Sequence, residues 1–159
     1  KYSFKYGYAE ARIAAPSCNG DNDPSNGHEQ LGCWPAFWIL PETNTWPPEI
    51  DIFEYFDSLA DPTAYFNYHY EQSGAKQIGV KPYRDWGVDS TGWHTFGLKW
   101  TSDKLQTYID GQPGPSYTNT TLITKVQNYI LFNFALQKGG TPPTGQQFLV
   151  DYVRVWQGG

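Results

Sequence analysis

The fold class follows from a stretch that reads HTFGLKWTSDKLQTYIDG from His94 to Gly111. Aromatic and aliphatic residues alternate with other residues on both sides of a short polar segment, Thr101–Lys104. This pattern is typical of two antiparallel strands joined by a tight turn, and the closing Asp-Gly pair predicts a second turn. The stretch therefore predicts a β-hairpin followed by a second turn.

The same pattern extends along the chain. Runs of four to eight aromatic and β-branched residues are separated by Gly, Pro, Asn and Asp at short intervals, which predicts an all-β sandwich or barrel. No internal repeat, charge block or linker is evident, so we expect one domain over residues 1–159. The predicted strands are Lys5–Ile13, Trp34–Leu40, Glu49–Tyr55, Tyr65–Tyr70, His94–Trp100, Leu105–Asp110, Tyr129–Leu136 and Phe148–Trp156.

Composition narrows the classes of partner. Hydrophobic residues make up 39% of the chain and charged residues 17%, which favours a packed core over disorder. The net charge of −5 argues against nucleic acid or an anionic membrane as partner, and no apolar run is long enough to span a bilayer. We expect a monomer without nucleic-acid or membrane partners. The segment Lys1–Lys5 lacks the apolar run of an export signal, so any such signal is expected to have been removed or to lie outside this chain.

Two cysteines, Cys18 and Cys33, flank a polar, turn-forming stretch. A disulfide between them would stabilise the fold by roughly 3 kcal/mol and would suit a secreted, extracellular protein. The alternative is a pair of buried free thiols. The same stretch contains four residues of metal-ligating type, Asp21, Asp23, His28 and Glu29. Their spacing matches neither a calcium loop nor a zinc pattern, which favours a solvated loop.

The segment Glu49–Glu54 places three carboxylates within six residues of a predicted strand. On a regular strand Glu49 and Asp51 share one face, whereas Glu54 falls on the other face beside two isoleucines, where a charge is costly. A β-bulge at Ile52–Phe53 would return Glu54 to the face of the other two acids. Two glutamates on one face suit the paired carboxylates of a retaining glycosidase, about 5–5.5 Å apart. The alternative, a solvated strand edge, leaves the interleaved apolar residues unexplained.

The segment Trp34–Trp38 supplies a companion signal. Trp34, Ala36 and Trp38 share one face, so two indoles flank a small residue in an arrangement that suits stacking against pyranose rings. The alternative is that both indoles belong to the core. Pro35 favours an edge or a bulge over a central strand position.

Three further residues are candidates for the same cleft. Asn133 is a polar residue on an otherwise apolar strand face, and we expect it to hydrogen-bond a sugar hydroxyl. His69 lies on the strand after the acidic one and is expected to line the cleft, with an ordinary surface or core histidine as the alternative. Trp46 precedes the acidic strand in a proline-rich loop, and its side chain is expected either at the rim of the cleft or packed against the protein.

The two motifs Glu49–Glu54 and Trp34–Trp38 resemble glycoside hydrolase family 16. That family includes laminarinases, mixed-linkage glucanases, agarases and carrageenases. The resemblance extends to Tyr6–Arg12, His94–Gly111, Leu131–Ala135 and Val150–Trp156. It implies a β-jelly-roll sandwich of two antiparallel sheets with a concave substrate cleft, and no cofactor required for catalysis. It further implies Glu49 as nucleophile, Glu54 as acid/base and Asp51 as the residue that assists the nucleophile.

The spacing of the acidic motif selects among family members. Five positions from the first to the last glutamate resemble the bulged type of laminarinases and marine galactanases, which implies an endo-acting, retaining hydrolase of β-1,3- or β-1,3-1,4-linked glucan. One alternative is another β-linked polysaccharide. Trp46-Pro47-Pro48 resembles bacterial exopolysaccharide glycanases, while the acidic charge weighs against sulfated galactans. A second alternative is a non-catalytic carbohydrate-binding jelly roll, although such relatives have typically lost the acids.

Two further expectations follow from the resemblance. Family members usually carry strands before the position at which this chain begins, so we expect a sandwich without those N-terminal strands and with an exposed apolar edge. Family members often hold a structural Ca²⁺ through a carboxylate of the final strand, which Asp151 matches here. The alternative for Asp151 is a salt bridge or a solvated aspartate at the sheet edge.

Overall fold

A computed structural model describes residues 2–15, 33–56, 63–83, 92–136, 145 and 147–158. These residues form strands and turns and no helix, as the sequence predicts. The eleven strands are β1 (Ser3–Phe4), β2 (Gly7–Ala15), β3 (Cys33–Pro41), β4 (Glu49–Phe56), β5 (Thr63–Gln72), β6 (Ala75–Pro82), β7 (Gly92–Trp100), β8 (Lys104–Ile109), β9 (Gln112–Thr118), β10 (Asn128–Leu136) and β11 (Leu149–Trp156).

The strands form two antiparallel sheets. The six-stranded sheet has the order β1-β10-β3-β4-β5-β6, and the five-stranded sheet has the order β11-β2-β7-β8-β9. All eight strands predicted from the sequence are present, with ends shifted by up to two residues. The predicted turn at Asp110-Gly111 is confirmed, since both residues have positive φ (48° and 77°), as a two-residue hairpin turn requires.

Three observed strands escaped the sequence prediction. Strand β9 contains Pro113 and Pro115, which normally argue against a strand, but β9 lies at the edge of its sheet, where prolines are tolerated. Strand β6 lies at an edge of the other sheet and is exposed along nearly its whole length. Its sequence therefore lacks the clear alternation of apolar and polar residues that predicts a strand. Strand β1 has only two residues.

The core lies between the inner faces of the two sheets. Phe53 of β4 and Phe96 of β7 meet across it with ring centroids 4.6 Å apart. Trp100 is 1% exposed, and its indole donates to the carbonyl of Thr124. On β3, Phe37 is fully buried, which leaves its neighbours of opposite parity on the outer face of the six-stranded sheet.

Strand β11 forms an edge of the five-stranded sheet and exposes much of its apolar surface. Val153 and Trp156 are 45% and 48% exposed. This agrees with the expected apolar edge. Among the described residues, no helix has the length and apolar character that crossing a bilayer requires.

Candidate active site

Strand β4 contains a bulge between its second and third carboxylates. The register against β3 slips by one residue at Ile52, and the register against β5 shifts between Asp51 and Glu54. The predicted bulge is therefore confirmed. The bulge places the apolar and the acidic side chains on opposite faces of β4, as expected. Ile52 and Phe53 are buried in the core, whereas the three acids face away from it.

All three carboxylates line one cavity of about 250 Å³ on the outer face of the six-stranded sheet. Strands β3 and β10 complete its lining with Trp34, Ala36, Trp38, Asn133 and Ala135. A second cavity of about 640 Å³ adjoins it through the shared residues Trp34, Glu49 and Glu54. Its remaining lining comes from the loop before β4 and from β5 and β6, and comprises Trp46, Tyr65, Asn67, His69, Ile78 and Val80. We call the two cavities together the cleft.

Both oxygens of Glu54 accept a hydrogen bond. The indole Nε1 of Trp34 donates to Oε1 over 2.7 Å, and the amide Nδ2 of Asn67 donates to Oε2. Glu54 is 6% exposed, so these two donors replace the water that a buried carboxylate loses. Asn67 is a site residue that the sequence analysis missed. Its signal was the alternation of Asn67 with His69, which places both on the same face of β5.

His69 lies against the other two acids. Its Nε2 is 3.3 Å from Glu49 Oε1 and 3.2 Å from Asp51 Oδ2, because β5 pairs His69 directly opposite Glu49. His69 therefore lies in the cleft, at the position that the sequence analysis expects. Burial raises the pKa of Asp51 well above its ordinary value, and the charges of Glu54 and Glu49 raise it further. Burial also raises the pKa of Glu49, against the lowering effect of His69.

The raised pKa of Asp51 predicts a change of stability with pH. A carboxyl group whose pKa is higher in the folded protein than in the unfolded chain favours folding most below the unfolded value, near 3.8, and loses that contribution as pH rises through the folded value. We expect Asp51→Asn to unfold at a higher temperature than the parent at pH 7, with a difference that shrinks toward pH 4. Scanning calorimetry across this pH range checks it. A lower melting temperature at pH 7 would mean that the contact with His69 outweighs the cost of burial.

Asn133 is committed to the tryptophans of β3. Its Oδ1 accepts from the indole of Trp38 over 2.6 Å, and its Nδ2 donates to the backbone carbonyl of Trp34 over 3.4 Å. Asn133 lines the cleft as predicted, but these contacts hold the two indoles rather than leave the whole amide open to a ligand. Pro35 is expected at an edge or a bulge, but it lies in β3, a central strand of its sheet. The pairing of β3 with β4 begins only at Ala36, so Pro35 precedes the paired residues on that side.

Trp46 lies at the rim of the cleft, which decides between the two predicted positions. It is 45% exposed, its ring centroid is 5.6 Å from that of His69, and its side chain hydrogen-bonds Glu49. The ammonium of Lys76 lies 4.4 Å from the centre of the Trp46 ring. Lys76, on β6, is a second rim residue that the sequence analysis did not identify.

Asp151 lies away from the cleft, within a bulge of β11 between Val150 and Tyr152. Its carboxylate is 2.9 Å from Nη1 of Arg12, and both side chains are about half exposed. The guanidinium of Arg12 balances the charge of this carboxylate. The contact is the salt bridge considered as the alternative, and calcium at Asp151 stays a prediction.

Two predictions fall wholly or partly outside the described residues. Cys33 is buried at the start of β3, but Cys18 is not among the described residues, so the disulfide stays a prediction. The four polar residues of the same stretch, Asp21, Asp23, His28 and Glu29, also lie outside the described part of the chain.

Comparisons with known proteins agree with this architecture. The chain is 31% identical over 157 residues to the endo-1,3-1,4-beta-glycanase EglC of Rhizobium meliloti (strain 1021), a match that covers 95% of this chain and 30% of the relative. A glucan endo-1,3-beta-glucosidase of Cryptopygus antarcticus is 36% identical over 88 residues, which cover 50% of this chain and 32% of that protein. The chain thus spans about a third of the length of these curated relatives.

Solved structures show the same fold. LamAcat of Zobellia galactanivorans superposes with a TM-score of 0.73 at 25% identity, over 99% of this chain and 66% of that chain. The Bacteroides ovatus mixed linkage glucan GH16 protein, in complex with a G4G4G3G product, superposes with a TM-score of 0.74 at 26% identity, over 98% of this chain and 71% of that chain. The family model of the glycosyl hydrolases family 16 matches residues 1–154, and the chain belongs to that family.

Proposed function

We propose that the chain is the catalytic domain of an endo-acting, retaining glycoside hydrolase that cleaves β-1,3- or β-1,3-1,4-linked glucan. The observation that carries the proposal is the bulge of β4, which brings Glu49, Asp51 and Glu54 to one cavity between two tryptophans and an asparagine. A binding module would not need two buried carboxylates, Asp51 and Glu54, beside the partly buried Glu49.

The roles follow from a double displacement. A carboxylate oxygen of Glu49 attacks the anomeric carbon while Glu54, protonated at this stage, gives its proton to the departing glycosidic oxygen. Water then attacks the glycosyl-enzyme, loses a proton to Glu54 and frees Glu49. Glu54 thus ends each cycle protonated and ready for the next. Its two donors, Trp34 and Asn67, fix its orientation toward the shared cavity.

Asp51 assists by limiting the charge of the cleft. Its raised pKa favours the neutral form at pH values where an ordinary aspartate is ionised. A neutral Asp51 between two glutamates avoids a third negative charge and leaves a proton to share with Glu54. His69, 3.3 Å from Glu49, supports the ionised form that a nucleophile requires.

Sugar binding is assigned to Trp34 and Trp38, which flank Ala36 in the cleft. The indole faces provide flat apolar surface for pyranose rings, and the hydrogen bonds of both N–H groups hold the rings in place. The names of the relatives support a β-1,3- or mixed-linked glucan. A second candidate is an anionic β-linked exopolysaccharide, which the ammonium of Lys76 at the rim favours.

The replacement Trp34→Phe separates orientation of the acid from sugar stacking. It keeps an aromatic face but removes the N–H that donates to Glu54, and a hydrogen bond to a charged group contributes about 1.5–3 kcal/mol. We expect kcat on the preferred glucan to fall by roughly 10- to 100-fold with a smaller change in KM. The matched variant Trp38→Phe, whose N–H serves Asn133 instead, should keep more of kcat. Equal kcat losses in the two variants would contradict the assignment.

A substrate panel tests the function itself. Laminarin, lichenan, agarose, carrageenan and an acidic exopolysaccharide are incubated with the chain, and reducing ends and product sizes are measured. We expect oligosaccharides of several lengths from laminarin or lichenan, as an endo-acting enzyme produces. Cleavage of the acidic polymer alone would favour the second candidate. Binding without cleavage of any polymer would support a carbohydrate-binding module.

The cellular setting is part of the same proposal. We expect a secreted monomer of one domain, because polymeric glucans are found outside the cell. We also expect a disulfide between Cys18 and Cys33, since disulfides persist in the extracellular environment. Mass spectrometry of the non-reduced protein checks the bond. Two free thiols would contradict it.

A further inference from the structure

One corner of the cleft holds three metal-ligating side chains, from neighbouring strands. Glu49 and Asp51 of β4 face His69 of β5, and one ligand atom of each lies within 4.8 Å of the others. We propose that these three residues form a binding site for a divalent transition metal of the zinc class, and that the bound ion reversibly inhibits hydrolysis. Binding itself does not depend on the proposed function; only the inhibition rests on it.

The distances suit zinc. Zn²⁺ binds imidazole nitrogen and carboxylate oxygen at about 2.0–2.2 Å in tetrahedral geometry, so two ligand atoms on one ion lie roughly 3.3–3.5 Å apart. His69 Nε2 is 3.3 Å from Glu49 Oε1 and 3.2 Å from Asp51 Oδ2, close to two edges of such a tetrahedron. One imidazole and two carboxylates are also the protein ligands of several zinc enzymes.

A second observation concerns the buried oxygen of Asp51. Oδ2 is the atom that faces His69, it accepts no hydrogen bond from the described residues, and its side chain is 2% exposed. A buried carboxylate oxygen without a hydrogen bond is costly, and a cation would satisfy it. The carboxylates of Glu49 and Glu54 line the same cavity as Asp51, and a cation would reduce the repulsion among these acids.

The position of the ion explains inhibition. Glu49 lines both cavities of the cleft, so the coordination position left open by three protein ligands faces the space that sugar would occupy. Coordination through one oxygen of Glu49 withdraws negative charge from its carboxylate, so the second oxygen is a weaker nucleophile toward the anomeric carbon. Substrate and metal would therefore compete for the same enzyme form.

Titration calorimetry of the full chain with zinc chloride tests the site. We expect one zinc ion per chain and, with cobalt chloride, visible absorption typical of tetrahedral Co²⁺. His69→Gln should weaken zinc binding by at least about 10-fold, because loss of an outer-shell partner alone costs 10- to 100-fold. The matched controls replace the other two histidines. The variants His94→Gln and His28→Gln should bind zinc with the affinity of the parent. His94 is paired with Asp110 and lies in the other sheet.

The outcomes separate the two parts of the proposal. Zinc affinity unchanged in His69→Gln, or lost in His28→Gln, would overturn the site. Zinc bound through His69 without any effect on cleavage of laminarin would overturn the inhibition and leave the site standing. If no polysaccharide is cleaved at all, calorimetry and cobalt absorption still decide whether the metal binds. Recovery of hydrolysis upon addition of EDTA is the expected result for reversible inhibition.

Discussion

Hydrolysis of laminarin or lichenan by Glu49→Gln is expected to fall by roughly 10⁴-fold or more, the largest effect of any single replacement in this chain. The amide of glutamine does not attack the anomeric carbon, and removal of the nucleophile in other enzymes costs up to about 10⁶-fold. The substitution keeps the size of the side chain and removes a partly buried charge that neighbouring Glu54 repels, so the fold should remain at least as stable. Reducing-end assays and calorimetry measure the two effects.

Glu42→Gln is the matched control for Glu49→Gln. Glu42 lies in the exposed turn after β3 and accepts a hydrogen bond from Ser3. It lines neither cavity of the cleft, so activity should be unchanged. The stereochemistry of the parent reaction is an independent check. Early product observed by NMR should keep the β-configuration, and an inverted product would remove Glu49 from the role of nucleophile.

Glu54→Gln is expected to reduce kcat on polysaccharide by roughly 10²- to 10⁴-fold, the usual contribution of a general acid/base. The loss should depend on the leaving group, because a dinitrophenolate departs without a proton whereas a sugar alkoxide does not. With a dinitrophenyl glycoside, we expect the first step to be nearly retained and the glycosyl-enzyme to accumulate. Stopped-flow release of dinitrophenolate and mass spectrometry of the protein measure both.

Azide provides the decisive measurement for Glu54. It attacks the glycosyl-enzyme without needing a base, so turnover of Glu54→Gln should rise with azide and yield a β-glycosyl azide. Glu49→Gln should not respond in this way, since it forms no glycosyl-enzyme. Equal loss on both classes of substrate, together with no effect of azide, would contradict the acid/base role of Glu54.

Much of the site was predictable from local patterns. Because side chains alternate along a strand, a charge at Glu54 beside Ile50 and Ile52 favoured a bulge over a solvated strand edge, and the register confirms the bulge. The same alternation correctly placed Trp34 and Trp38 on the face opposite Phe37. These conclusions needed only the geometry of one strand.

Pairing between strands was not predictable in this way. Asn67 became a partner of Glu54 because β5 lies beside β4 in one particular register, and a shift of one residue would have turned it toward the core. Strand β9 formed despite two prolines because it lies at a sheet edge, where a missing N–H leaves no partner unsatisfied.

The sequence by itself determined the all-β class, the positions of eight strands, the bulge and the face that carries the acids, because each depends on the two-residue period of a strand. Only the tertiary structure decided that Asn133 holds Trp38, that Arg12 pairs with Asp151, and that His69 touches two carboxylates. These contacts join residues on different strands, and the contacts named lie 18 to 139 positions apart in the sequence. Their chemistry depends on which strands become neighbours and in which register, and burial in the cleft then raises the pKa of Asp51 and Glu49.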